Sequence, residues 1–400
     1  MNTKTTEVRA RKARPPHGHQ RRRGPDSYDD PEAILRRLQI GTPRYKEVIG
    51  AILKLNNHQH ARKHKGVGFE TMKCRDNFVM RAFKDLRKLT QFVDADPRRL
   101  GTRHVQALLD IWLARGLATK AIHNYLSYLR TFAGWTGRPG LVRAPAYYLG
   151  EASPHAHVKQ DATVDQSWRA KDVEVAAMVA KLREIDPLIA LRVELCYRFG
   201  LRAKESGHLR PHLAVIARGQ ADPTYAQAWP TAEFFLHVKD GTKGGRPRDV
   251  PIVTEEQRDV LERAKAAVLP GQFVGEAGRT AQQNRRRFYY VLERCGITKA
   301  KLGIVSHGLR HERANDEYRQ LTGMDSTVRG GAGVPRNVND AARRKVAHLL
   351  GHNRPRVTDC YLGKSQREPA ERPAEASAAA GVDNKKRDAF PTEPIPVREV

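Results

Sequence analysis

The sequence predicts a mainly α-helical protein with one small β-sheet element, folded as two domains. Three observations predict it. Apolar residues recur at helical spacing in three successive stretches between residues 46 and 145. A segment rich in Pro, Ala, Gly and His, residues 146–169, breaks that periodicity and reads as a linker. Residues 170–364 then return to helical patterning, except at "AEFFLHVKDGTKGGRPRDVPIV", where two strand-like runs flank a turn rich in Asp, Gly and Pro.

The elements follow in chain order. Lys4, Arg9, Arg11, Lys12, Arg14, Arg21, Arg22 and Arg23 face a single acid, Glu7, with Pro, Gly and His between them. That composition predicts a disordered basic arm, expected to run over residues 1–45. "DNFVMRAFKDLRKLTQFV" sets Phe78, Ala82, Leu86, Leu89 and Val93 on one helical stripe. "TRHVQALLDIWLARGLA" does the same with Val105, Leu108, Leu109 and Trp112 and stops at Gly116. "TKAIHNYLSYLRTFAGW" adds Ile122, Tyr125, Leu126, Leu129 and Phe132, with Thr119 as a cap. Lys84, Arg87, Lys88, Lys120 and Arg130 take up the remaining face, which suits contact with nucleic acid and equally a bundle that binds nothing. The strands are expected at 234–238 and 248–253. Residues 365–400, rich in Ala, Glu, Pro and charge, read as a disordered tail.

Composition narrows the function. The chain has 400 residues, 40% of them hydrophobic, and a net charge of +28. A surface this positive attracts polyanions, nucleic acid first and anionic membrane second. No apolar run approaches the roughly 20 residues of a spanning helix, and the basic N-terminus lacks the apolar segment of a secretory signal. Cys74, Cys196, Cys295 and Cys360 have neither zinc-site spacing nor a disulfide framework, and read as reduced thiols in a cytosolic protein. His58, His60 and His64 lie among Lys and Arg, as a solvated basic segment would. There is no HExxH and no phosphate loop ending in GK[ST], so neither metal nor cofactor is expected.

Four stretches carry chemistry. "CYRFGLRAKESGHL" ends a helix at Gly200 and presents Arg202, with Glu205 three residues on. "KDGTKGGRPRDVPI" holds Lys243 at a hairpin tip, with Lys239, Arg246 and Arg248 close enough to take its place. "SHGLRHERA" spaces His307, Arg310 and His311 by three and four, with Ser306 as a helix cap. "VAHLLGHNRPRVTDCYLG" sets His352 after a helix stop and Tyr361 nine positions later. One helix would put these two on opposite sides, so a chain reversal near Asn353–Pro355, with Asn353 capping a short new helix, is expected. Singly, each has an ordinary explanation: a surface salt bridge with Glu205, an exposed turn lysine, a corner histidine, a core tyrosine. Together they suit a phosphodiester. Guanidiniums hold non-bridging oxygens in bidentate fashion and keep their protons. A phenol with a pKa near 10 needs a base or nearby cations to attack at neutral pH. His307 or a neighbour is placed to take its proton, and Lys243 to supply one to the departing 5′ oxygen.

The ordered set "GLRAKE", "TKGGRPRDVP", "HGLRH" and "LLGH…Y" resembles the tyrosine recombinases, or phage-type integrases. The resemblance spans roughly residues 70–364, and "RGLATKAIHNYLSYLRTF" is similar to the family's N-terminal core-binding domain. It implies a helical core-binding domain at 46–145 and an α+β catalytic domain at 170–364. It implies Arg202 and Arg310 as phosphate clamps, Lys243 as general acid and His307 as general base. His352 would hydrogen-bond the phosphate, and Tyr361 would be the nucleophile. Also implied are duplex DNA as substrate, four protomers on two sites passing through a Holliday junction, DNA-bending accessory proteins, and a bacterial mobile element acting at the nucleoid in the cytoplasm. Arg246, in "GGRPR", resembles a minor-groove hook. One departure stands out. The interval from Arg310 to His352 is longer than the family's usual one, and the excess falls in "LTGMDSTVRGGAGVPRNVND", residues 321–340, a Gly-rich insertion expected to be a loop that contacts DNA or a neighbouring protomer. Two other readings stay open: a type IB topoisomerase, which uses the same chemistry without a defined site, and a DNA-binding regulator that kept the fold.

Overall fold

The computed structural model describes residues 30–60, 65–159 and 161–365. Most of the expected basic arm, His64 of the histidine cluster and the tail from 366 lie outside the described residues. These divide into two compact units, with the break after Lys159.

The first unit is helical: α1 (Pro31–Arg37), α2 (Tyr45–Asn56), α3 (Phe69–Leu89), α4 (Thr102–Ala114), α5 (Thr119–Trp135) and the short α6 (Pro145–Leu149). Ile49, Phe83, Leu86, Val105, Leu108, Ile122, Leu126, Leu129 and Phe132 are completely buried between these helices. Phe78, Trp112 and Tyr125 meet ring to ring in the same core. The expected arm therefore ends earlier than residue 45. Asp30 accepts from the backbone of Glu32 and Ala33, and Pro31 opens α1 with its φ already helical. Arg98 then ties down the far end of that helix, donating to the carbonyls of Leu35, Leu38 and Gln39. Two stripe positions also depart from expectation. α3 stops at Leu89, and with the turn lost Leu89 and Val93 stand more than half exposed. Thr119 is the first residue of α5 rather than its cap, and its hydroxyl meets His155 Nδ1 at 3.0 Å.

The second unit begins in what the composition marks as linker. Trp168 is fully buried, because its indole N–H has a partner in the Val305 carbonyl at 2.9 Å and its backbone N–H donates to the buried Glu312. Residues 161–169 are thus a strap on this unit, and the linker of 146–169 is shortened from both ends, α6 taking its beginning. Next come α7 (Val175–Ile185), α8 (Pro187–Phe199), α9 (Ala203–Ser206) and α10 (Pro211–Ala214). Asp186 caps α8 through the Ile189 N–H, and Gly200 ends it in the left-handed conformation that glycine adopts at little cost. β1 (Val215–Ala217), which had no sequence signal, pairs antiparallel with β2 (Phe234–Val238), and β2 with β3 (Arg248–Ile252). α11 (Pro223–Ala228) fills the β1–β2 connection. Then follow α12 (Glu255–Ala266), α13 (Ala281–Arg294), α14 (Gly308–Thr322), α15 (Arg336–Leu349) and α16 (Asp359–Leu362). Phe199, Phe235, Leu236, Val250, Phe288 and Leu309 share one core, while Ala314, Val346, Leu350, Tyr361 and Leu362 form a second, smaller cluster.

Candidate active site

The site starts at the end of α8. After Gly200 the chain presents Arg202 at the start of α9, where the Glu205 carboxylate accepts from the Arg202 backbone N–H at 2.8 Å and from its guanidinium at 2.6 Å. The same carboxylate takes both terminal nitrogens of Arg248, at 3.0 and 2.8 Å. Burial alone would raise the pKa of Glu205, but hydrogen bonds from Arg248 and the charges of Arg248, Arg310 and Arg202 outweigh it and hold the pKa at about 2. One buried anion thus sets the position of two arginines. Arg248 is therefore committed to Glu205 and does not stand in for the exposed Lys243.

The β2–β3 connection is drawn against α9. Gly241 lies so close that a Cβ there would sit 2.9 Å from the Lys204 carbonyl. Beyond it, Lys243, Gly244, Gly245 and Arg246 form an exposed turn. Lys243 has no hydrogen bond or ion pair among the described residues, yet its charge is felt at His352.

α14 and α15 supply the rest. His307, not Ser306, stands at the N-cap of α14, and its side chain makes no capping bond; Ser306 is buried just before the helix. Arg310 is completely buried. It donates to the Gly200 carbonyl, to the Leu350 carbonyl, and through Nε to the Tyr361 hydroxyl at 3.2 Å. Burial, helped by the charges of Arg248 and Arg202, lowers its pKa to about 10, so it remains a cation at neutral pH. Other enclosed arginines of this unit have carboxylates: buried Arg248 has Glu205, buried Arg343 has Asp359, and the nearly buried Arg329 has Asp165 and Asp316. Arg192, like Arg310, hydrogen-bonds carbonyls and lies over an aromatic ring, Phe288 for Arg192 and Tyr361 for Arg310, but only Arg310 of the two also donates to a hydroxyl. Arg310 is held by neutral oxygens, the Tyr361 hydroxyl among them, and no carboxylate is hydrogen-bonded to it among the described residues.

Gly351 ends α15 and packs against the Arg248 side chain, where a Cβ would come within 2.9 Å of Cδ. His352 follows. The expected reversal is a 3-10 turn over Pro355–Thr358, and Asn353 does not cap it. The turn returns the chain so that the His352 and Tyr361 rings lie 6.0 Å apart between centroids. His307 and His311 lie 6.0 and 4.7 Å from the same tyrosine ring. Each of the three histidines has a pKa lowered to about 4. Desolvation is the largest cause in all three, even for His307, which retains solvent exposure. The charges of Arg310 and Arg202 add to it at His307 and His352, and His307 and Arg310 add to it at His311. All three are neutral at pH 7. Nδ1 of His311 and Nε2 of His352 are buried without a hydrogen-bond partner among the described residues.

Arg202, His307, Arg310, His352 and Tyr361 therefore meet at one place, with Lys243 on the turn beside it. In the first unit Lys84, Lys88 and Lys120 are exposed. Arg87 instead donates to the Ala95 carbonyl at 3.1 Å and stacks over Tyr45, and Arg130 reaches the carbonyls of Val142 and Arg143. Among the described residues, no group of three or more His, Cys, Asp or Glu is disposed to hold a metal ion. Sequence reasoning named Glu205 and Arg248 only as a salt-bridge partner and a substitute; the charge of each was visible, and their pairing across more than forty residues was not.

The integrase family pattern matches residues 160–316, which takes in Arg202, Lys243, His307 and Arg310 and stops before His352 and Tyr361. The N-terminal pattern of phage integrases matches residues 53–142. No curated protein matches the chain. Solved structures that resemble it include a lambda integrase fragment dimer bound to a COC′ core site, at 15% identity and a TM-score of 0.49, covering 83% of this chain and 97% of that one. A lambda integrase tetramer bound to a Holliday junction resembles it at 13% identity and 0.47, covering 83% and 79%. The Tn1549 transposon integrase with circular intermediate DNA does so at 11% and 0.44, covering 79% and 94%.

Proposed function

The chain belongs to the tyrosine recombinase, or phage-type integrase, family of DNA recombinases, and we propose that it cuts and rejoins duplex DNA at a specific site through a 3′-phosphotyrosyl intermediate made by Tyr361. The observation that carries this reading is the Arg310 Nε to Tyr361 hydroxyl hydrogen bond of 3.2 Å, at a buried cation with no carboxylate bonded to it among the described residues. It makes the phenol and a completely buried positive charge next neighbours, beside three histidines that are neutral at pH 7.

In this mechanism a scissile phosphate enters between Arg202 and Arg310. Carbonyls already fix two of Arg310's nitrogens, so its orientation is set before the substrate arrives, and such preorganised charge acts where charge builds on the transferring phosphoryl group. His307 takes the phenol proton as the Tyr361 oxygen bonds to phosphorus. The bond to the 5′ oxygen breaks, and Lys243 protonates that oxygen. His352 turns its unpartnered Nε2 toward a non-bridging oxygen. A phosphate held there brings negative charge to three histidines that are neutral without it, and so draws their pKa values upward. Attack by a 5′ hydroxyl on the phosphotyrosyl ester reverses the steps and rejoins a strand without ATP. By the family's manner, four protomers would act on two sites through a Holliday junction, with Lys84, Lys88, Lys120 and Arg246 on the DNA backbone and binding steeply dependent on salt. The setting would be a mobile element of a bacterium.

The test is a nicked duplex built from the DNA flanking the gene, on which cleavage traps the covalent adduct. Wild type should form an adduct that survives denaturation, and Tyr361→Phe should form none while binding the duplex equally. An adduct with Tyr361→Phe would remove Tyr361 from the mechanism. Relaxation of an arbitrary supercoiled plasmid, without an adduct on any flanking duplex, would move the reading to a topoisomerase.

A further inference from the structure

The Gly-rich segment between α14 and α15 is docked on the helix that bears Tyr361, and that contact has no role in the chemistry above. α16 is a single turn of four residues. A turn this short has no stability of its own, and its last carbonyls lack partners within the helix. The direction of the Tyr361 hydroxyl is therefore set by what grips α16 from outside. The grip is nearly complete. The Ala162 N–H of the strap donates to the Asp359 carbonyl at 2.8 Å. Asn315 on α14 donates to the Tyr361 carbonyl at 3.3 Å. Arg343 on α15 donates to the Gly363 carbonyl at 3.0 Å. Thr327, in the Gly-rich segment, shares its one hydroxyl hydrogen between the carbonyls of Leu362 and Lys364, at 2.9 and 3.0 Å.

The segment is itself fastened. Ser326, 1% exposed, donates to Oδ1 of the same Asn315 that reaches Tyr361. Arg329 bridges Asp165 on the strap, at 3.0 Å, and Asp316 on α14, at 2.8 Å. Its side chain is nearly buried, so this cross-link is shielded from solvent. At the point of contact Gly363 has φ +78°, and a Cβ there would lie 2.5 Å from the Thr327 hydroxyl. The expectation of a loop over 321–340 holds only for its middle: α14 runs to Thr322, α15 begins at Arg336, and the span between them includes a 3-10 turn, Thr327–Arg329.

We propose that this segment is a brace for the nucleophile, and that Thr327 is a positioning residue that sets the reach of Tyr361 without touching the phosphate. The proposal rests on the reading of Tyr361 as nucleophile. An aromatic hydroxyl displaced by about 1 Å from its line of attack loses up to about a hundredfold in rate. The brace therefore acts on the cleavage step and leaves DNA binding alone.

The experiment compares wild type, Thr327→Val and Thr327→Ser on the nicked flanking duplex described above. Thr327→Val keeps the shape and removes the shared donor. Its single-turnover rate of adduct formation should fall by about tenfold or more, with DNA affinity unchanged and thermal unfolding within a few degrees of wild type. Thr327→Ser should restore the rate. Hydrogen exchange over residues 357–365 should quicken in Thr327→Val and not in Thr327→Ser, a readout that needs no DNA. The proposal is overturned if Thr327→Val cuts at the wild-type rate, if its loss is in DNA affinity instead, or if Thr327→Ser fails to rescue. The two failures are separable: absence of any adduct with wild type defeats the nucleophile reading, whereas the brace fails only in the comparison of the variants with wild type.

Discussion

Arg310 and Lys243 bring the same charge to the site from opposite kinds of ground. Arg310 is enclosed where α14, α15 and α16 meet, and two backbone carbonyls and a phenol hold it. Lys243 stands on an exposed turn among glycines, with no bond to the rest of the described protein. Under the proposed mechanism, the difference follows from what each group would have to do. A guanidinium that only has to hold charge gains from being fixed in advance and desolvated. An ammonium that has to give up a proton gains from staying solvated until substrate orders it, since burial would strip the proton early. On that proposal, an enclosed cation and an exposed one are two solutions to two tasks at a single phosphate.

The comparison can be broken at either end. Arg310→Ala should have the largest effect. It removes the transition-state charge, for a loss of about 10²–10³-fold in adduct formation, and leaves the buried carbonyls of Gly200 and Leu350 without donors, at about 1–3 kcal/mol each. The thermal midpoint should fall together with the rate; an unchanged midpoint would mean that the corner does not depend on this residue. Lys243→Ala should cost about a hundredfold in rate with no change in midpoint, because the side chain is exposed and has no hydrogen bond or ion pair among the described residues. Replacing the bridging 5′ oxygen of the duplex by sulfur, which leaves without a proton, should restore the rate of this variant. If the sulfur duplex is cut just as slowly, the lysine holds DNA and donates no proton.

The smallest effect concerns pH. His307, His311 and His352 have pKa values near 4 in the folded chain against an ordinary 6.5. Between those values the unfolded chain binds protons that the fold does not, so stability is greatest above pH 6.5 and declines as pH falls toward 4. Glu205, held at about 2, adds its own loss only below its ordinary 4.5. Thermal midpoints measured from pH 7 to 4 should drop, and less steeply in His352→Asn. A slope unchanged in that variant would show that the corner histidine is not among the groups responsible.

Much of this was legible in the chain. Helical spacing located α4 and α5 with their core residues, and the hairpin strands stood out because their apolar runs are bounded by Gly and Pro. The residues proposed for phosphate chemistry were picked out by type and order. What could not be read depends on tertiary partners. β1 is three residues long and exists only because β2 gives it hydrogen bonds. Leu89 and Val93 satisfied the period of α3, but the helix stops before their side of it is covered. Composition cannot reveal that Trp168, amid Ala, Ser and Asp, is a core residue, nor that a Gly-rich insertion is bonded through Thr327 to the carbonyls that follow the tyrosine. Contacts across large sequence separations leave no periodic trace.

The strap that carries Trp168 has a consequence for how such enzymes can be assembled from parts. Gly308 opens α14 beneath it, where a Cβ would lie 2.6 Å from the Gln166 carbonyl and 2.8 Å from the indole. The natural seam for swapping the two halves between relatives therefore falls ahead of Ala162, even though the compositional boundary lies near residue 169. A chimaera joined at the later point would inherit a slot shaped for an indole and a donor peptide with nothing to fill it.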